Sequence, residues 1–167
     1  FSGYRPYEGL CFQFSHHTLD KDGTVEHSGQ YLGLGQGQNP SFQFIDELYI
    51  SLSQNDGDVF MYSTHENTYL NYMIKLLWKE SPFSPEKTEK LIVFLQSLTK
   101  PSRDITSKWK KGSREMIDMA VMVESYYWHP YMKGSNSIKK VLPAIMKHSK
   151  FIKDKYSKDI YGINKQV

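Results

Sequence analysis

The chain has little cysteine and no long apolar run. Its 167 residues contain one cysteine, Cys11. That excludes an internal disulfide framework and a cysteine-built zinc site, and it suits a reducing compartment. No segment approaches the ~20 consecutive apolar residues of a membrane span. No charged-then-apolar secretory leader is visible. A cytoplasmic location and no membrane partner are therefore expected. No repeat with a period of tens of residues is apparent either. What is present is ordinary for a folded protein: 39% apolar, 23% charged and 14% aromatic residues. This composition excludes a disordered tail, a collagen-like chain and a coiled coil, and the length fits a single domain over residues 1–167.

The net charge of +3 is an average over two dissimilar parts. Residues 1–132 carry 12 Lys/Arg against 16 Asp/Glu, whereas residues 133–167 carry nine lysines, no arginine and only Asp154 and Asp159. Such asymmetry points to an anionic partner at one end, nucleic acid first. A lysine-rich solvated helix is the plainer alternative. The first residue is Phe1 rather than methionine, so a processed protein or an excised domain is expected.

Leu10, Phe12 and Phe14 alternate with polar residues from Gly9 to His16, which predicts a strand. Asp20-Lys21-Asp22-Gly23 predicts a turn, and Thr24 to Leu32 a returning strand, giving a hairpin. Ser41 is placed to cap a helix with the stripe Phe42, Ile45, Leu48, Tyr49 and Leu52. Val59 to Tyr62 reads as a short strand. Helices follow with Leu70, Met73, Ile74 and Leu77 inside, then from Pro85 to Leu98, then with Met116, Met119, Ala120, Val123 and Tyr127 inside. Lys100 to Gly112 reads as a polar loop. Ser137 is placed to cap a helix that Pro143 would kink or restart, and the lysine-rich residues 150–167 are expected to fray. Hairpin, helix, strand and helices in this order predict an α/β fold with a mixed sheet.

Several chemical motifs fail on inspection. Gly33-Leu34-Gly35-Gln36-Gly37 lacks the lysine of a phosphate loop and the glycine spacing of a dinucleotide site. His65-Glu66 lacks the second histidine of a zinc-protease helix, since Tyr69 stands four residues on. His16 and His17 would point to opposite faces of a strand, and a surface position is expected for the pair. Glu66 is more informative. It follows the strand Val59–Tyr62 and shares a helical stripe with Leu70, Ile74 and Leu77, so it is expected to face inward at a strand's carboxyl end, where α/β sheets hold ligands. A structural role competes equally: Ser63-Thr64-His65-Glu66 has the form of a capping box. Asp118 near a helix start is expected to serve the amide dipoles. Lys133-Gly134-Ser135-Asn136-Ser137-Ile138-Lys139-Lys140 combines a glycine turn, hydroxyls, a helix amino end and lysines, a pattern that suits phosphate; a capped surface helix is its plainer reading.

The blocks Tyr4-Arg5-Pro6-Tyr7-Glu8, Phe12-Gln13-Phe14-Ser15, His65-Glu66-Asn67-Thr68, and His129-Pro130 with Lys133 through Pro143 resemble an uncharacterised bacterial domain family found downstream of RecB-type nuclease regions. More distantly, the order of elements resembles the ribonuclease H-like fold of DEDD 3′–5′ exonucleases. That resemblance implies a mixed sheet flanked by helices, with the first strand and its Asp-x-Glu motif lying before Tyr4. It places Tyr62 and Glu66 at the Asn and Asp of an Asn-x-x-x-Asp motif, and Asn136-Ser137-Ile138 at a later helix start. The terminal acidic motif has no counterpart at the required spacing.

The resemblance implies metal-dependent phosphodiester hydrolysis as the ancestral activity. Glu66 would be the catalytic and metal-binding acid, for Mg or Mn, with His65 beside it. Tyr62, Lys133, Ser135, Asn136, Lys139 and Lys140 would contact substrate. Two-metal hydrolysis needs several carboxylates, so the chain by itself is expected to be inactive. The alternative is a non-catalytic module that binds nucleic acid or docks on the RecB-type region upstream.

Overall fold

A computed structural model describes residues 8–35, 39–101 and 112–157. Their contacts divide the chain into two compact units, Phe1–Ile117 and Asp118–Val167.

The first unit opens with an antiparallel hairpin of β1 (Gln13–Leu19) and β2 (Val25–Leu32). The turn forms where expected. Asp20 and Thr24 pair through the backbone, Gly23 takes φ +85°, and the Asp22 carboxylate accepts from the Thr24 amide at 3.1 Å. This last bond holds the Asp22 carboxyl below its usual range. Phe14, on the inner face, packs edge-on against Phe44 at 5.6 Å.

Helix α1 (Ser41–Leu52) buries Phe44, Ile45 and Leu48. Its cap differs from expectation: Pro40 occupies that position, and Ser41 is the first helical residue, fully buried. The Ser41 hydroxyl instead accepts from the Cys11 amide at 3.1 Å, and its own amide donates to the Asn39 side chain.

Strand β3 (Phe60–Met61) leads into α2 (His65–Glu80), which buries Leu70, Met73, Ile74 and Leu77 as the periodicity predicts. Helix α3 (Pro85–Leu98) has the expected bounds, with Ser84 capping the Lys87 amide and Pro85 in the first turn. The two helices are tied at their ends by the backbone of Lys100. Asn67 accepts from its amide at 2.7 Å, and Asn71 donates to its carbonyl at 2.8 Å. The Arg114 guanidinium donates to the carbonyls of Leu52 and Gly57, each at 2.8 Å, closing the loop after α1. The Ile117 amide then donates to the Val59 carbonyl, which brings β4 (Ile117–Asp118) beside β3.

The α/β class therefore holds, but the described strands do not join into a single mixed sheet. Among the described residues there are two separate two-stranded pairs, β1–β2 and β3–β4. A two-residue β3 is too short to carry a broad ladder, and helices supply most of the core. The expected loop at 100–112 lies mostly outside the described residues.

In the second unit, Asp118 caps α4 (Met119–Tyr126) by accepting from the Ala120 amide at 2.9 Å. The expected stripe is cut, because Met116 belongs to the first unit's core and α4 buries none of its own residues. Val123 and Tyr127 lean on a small cluster of Met132, Val141 and Ala144. A 3-10 turn (Pro130–Met132) precedes α5 (Ile138–His148). Helix α5 runs through Pro143 without restarting. A proline inside a helix removes one amide donor and crowds the carbonyl four residues before it, here that of Lys139. The region expected to fray is helical over α6 (Lys150–Tyr156), where the Ser149 hydroxyl accepts from the Ile152 amide. Residues 158–167 lie outside the described residues. Among the described residues no helix is long and apolar enough to cross a membrane.

Candidate functional site

The candidate residues fall in two places, one in each unit. In the first unit an open groove of about 610 Å³ lies between residues 10–16, the inner face of α1, β3 and the first turns of α2. Its lining is largely apolar, and among the described residues Glu66 is the one Asp, Glu, Lys or Arg that lines it. His65 and His16 also line it.

Ser63 sits between β3 and α2 with φ +69°, a left-handed conformation that costs a non-glycine residue energy and turns the chain sharply. Helix α2 consequently starts one residue later than the capping-box reading requires. Thr64 is its N-cap and makes no side-chain cap bond, so Glu66 is not at the third position where a box closes. It lies in the first turn, where its charge suits the amide dipoles.

The expectation that Glu66 faces inward is corrected: its side chain is exposed. The stripe through Leu70, Ile74 and Leu77 does extend to it, but among the described residues no side chain covers that stripe at the first turn. The carboxylate therefore meets the groove and solvent, and it does not need pairing or neutralisation. His65 is exposed as well, its ring 4.9 Å from that of Tyr69. Tyr62 is half-buried at the end of β3.

Among the described residues, Glu66 and His65 do not supply the several carboxylates that a two-metal Mg or Mn site needs. Among the described residues no group of three or more His, Cys, Asp or Glu could hold a metal ion. No hydrolytic step follows from Glu66 and His65 alone.

His16 was expected at the surface and is instead half-buried, its Nε2 2.6 Å from Ser51 Oγ on α1. Burial, and then the nearby charges of His27 and His17, push its pKa below the ordinary value. The strand parity that puts Phe14 inward also puts His16 inward, a signal present in the sequence. His17 does turn to the exposed face, across a ladder irregularity between the two histidines. Cys11, on the same groove, is buried, and that raises its thiol to about 11. The thiol is thus unionised and unreactive at neutral pH.

The second unit holds the lysine-rich segment. Lys133 and Gly134 both have positive φ, 54° and 74°. They turn the chain from the 3-10 turn toward α5. Of the amides expected to cradle phosphate, that of Ser135 donates to the Met132 carbonyl and that of Ser137 to Ser135 Oγ. These two are already satisfied. Ser137 is the N-cap of α5 but makes no side-chain cap bond. Asn136 is exposed.

The lysines are better placed than the amides. Lys133, Lys139, Lys140, Lys147, Lys150 and Lys153 are all exposed. Among the described residues none of them forms an ion pair. Lys139 and Lys140 stand in the first turn of α5, which has no acid. Positive charge there opposes the helix dipole, so the segment favours an approaching anion. Exposed aromatics accompany the lysines in this unit: Tyr126, Trp128, Tyr131 and Phe151. Sequence reading had passed over them as helix or loop residues.

One family model matches residues 1–137, that of a domain of unknown function (DUF2779). No curated protein and no solved structure matches the chain.

Proposed function

The chain belongs to the DUF2779 family, a domain of unknown function, and we propose that it is a non-catalytic module that binds single-stranded nucleic acid through its second unit. The observation that carries this reading is the set of six exposed lysines that form no ion pair among the described residues, in a unit that also exposes Tyr126, Trp128, Tyr131 and Phe151. Lysines would neutralise phosphates and release counterions, while aromatic faces would stack on unpaired bases.

The choice of cation narrows the mode. The second unit contains no arginine, and lysine meets phosphate as a point charge rather than reading base edges with a planar fork. Binding is therefore indifferent to sequence. Lys133, Lys139 and Lys140 are assigned to phosphates, with Ser135 and Asn136 as polar neighbours. A RecB-type nuclease region in the same polypeptide is the partner such a module would serve, by holding strand near the chemistry. Hydrolysis by this chain has no comparable support, because among the described residues no group of three acids, histidines or cysteines gathers around Glu66.

The test is a fluorescence-anisotropy titration of a labelled oligothymidylate at low and at raised salt. Saturable binding that weakens steeply with salt supports the proposal; no binding at low salt overturns it.

A further inference from the structure

The groove of the first unit has a second set of properties that nucleic-acid binding leaves unused. Among the described residues, strand β1 is hydrogen-bonded on one side only, to β2. The Gly33 amide donates to the Phe12 carbonyl at 2.7 Å, so Phe12 and, by alternation, Phe14 turn their backbone groups toward β2. The backbone groups of Gln13 and Ser15 therefore point to the opposite edge, and both residues line the groove. Across the groove stands β3, which also belongs to a two-stranded pair. Phe12 and Phe60, on its two sides, are 49% and 54% exposed. Large apolar side chains held open to water beside a strand edge that no described strand pairs form a surface that is normally covered.

We infer that this groove binds an extended peptide segment of a partner polypeptide, apolar at alternate residues and carrying one Lys or Arg, as a strand added to β1. An added strand satisfies the free edge through main-chain hydrogen bonds, and pockets for alternate side chains supply preference. The apolar lining selects apolar residues. The charge requirement follows from Glu66, the one carboxylate lining the groove among the described residues, beside His65 and with His16 biased toward its neutral form. A strand of five or six residues spans about 17–20 Å, and Phe12 and Glu66 both line the groove it would occupy.

The probe is a labelled synthetic hexapeptide of alternating valine and threonine with one central lysine, titrated into the full chain while amide shifts are recorded. Saturable binding with the largest shifts at Gln13 and Ser15 is expected. Replacing one valine by proline removes a ladder donor and is expected to weaken binding at least ~10-fold. Replacing the lysine by glutamate is expected to weaken it about threefold to fivefold, the scale of a partly exposed ion pair. The exposed substitution Glu66→Lys is expected to reverse that preference, with the fold checked by circular dichroism. Equal binding of the proline peptide, shifts confined to residues away from β1, or an unchanged preference in Glu66→Lys would overturn the inference. So would self-association of the chain that excludes the peptide, or a small aromatic amine binding at Glu66 where the peptide does not. The experiment contains no nucleic acid, so its outcome is independent of the proposal for the second unit.

Discussion

Lys147 Nζ stands 4.7 Å from the centre of the Tyr131 ring. A mobile cation and an aromatic face thus share one patch of the second unit, with the His129 ring 5.0 Å from Tyr131 and 5.1 Å from His148. Cation–aromatic contact at an exposed site is weak, about 0.5–1 kcal/mol. It holds the lysine over the ring without committing its charge to a carboxylate, and a phosphate or a base can displace it cheaply.

Trp128 should therefore matter to binding and little to folding. Its side chain is 74% exposed, so Trp128→Ala removes scarcely any packing. Loss of one stacking platform is expected to weaken oligothymidylate binding by about 1–3 kcal/mol. The melting temperature should stay within a degree or two of the parent chain, measured on the same preparation.

His16 gives the first unit a defined response to pH. Its folded pKa lies below the ordinary histidine value because burial and the His27 and His17 charges disfavour the imidazolium. The unfolded state then binds more protons than the folded one between the two values, so stability rises with pH across that window. The contribution is complete above about pH 6.5 and is lost as pH falls through the lower folded value. Chemical denaturation at a series of pH values should show this slope, and His16→Gln should flatten it. Gly29 offers a second route to the same bond. It faces His16 in the ladder, and a Cβ there would run into Ser51 Oγ and the His16 ring. Gly29→Ala is expected to flatten the slope too.

Arg114 is the residue whose truncation should cost the first unit most for its exposure. Its guanidinium satisfies the carbonyls of Leu52 and Gly57. Charge-assisted bonds of this kind contribute about 1.5–3 kcal/mol. Arg114→Ala is expected to lower the urea midpoint correspondingly, and Arg114→Lys to recover only part, since an ammonium cannot reproduce the planar fork.

Local pattern carried much of the secondary structure. Proline at Pro85 and the spacing Leu91, Ile92, Leu95, Leu98 mark α3 to its ends, and Asp20 to Gly23 marks the hairpin turn. Tertiary facts were not legible in the same way. Helical phase places Glu66 on the stripe with Leu70, yet phase says nothing of where the opposing layer stops, and there it stops short. Ser41 has the chemistry of a cap, but the chain path from Cys11 makes its hydroxyl an acceptor for a distant amide. His16 meets Ser51 across 35 residues, and no local rule pairs them. Of the candidate site, the lysines could be read from charge alone. The aromatics beside them could not, because an exposed tryptophan and a buried one look identical in a string of letters.

The central claim is that the second unit's lysines hold nucleic acid, and the salt dependence of binding tests it most directly. With Z phosphates neutralised, the logarithm of the binding constant for a single strand falls with the logarithm of salt at a slope of about −0.7Z. The parent chain should give a slope corresponding to several contacts on a labelled oligothymidylate. Lys139→Gln/Lys140→Gln should weaken binding at low salt and reduce Z by about two, each lysine accounting for roughly one contact. A double variant with the parent's affinity and slope would contradict the account.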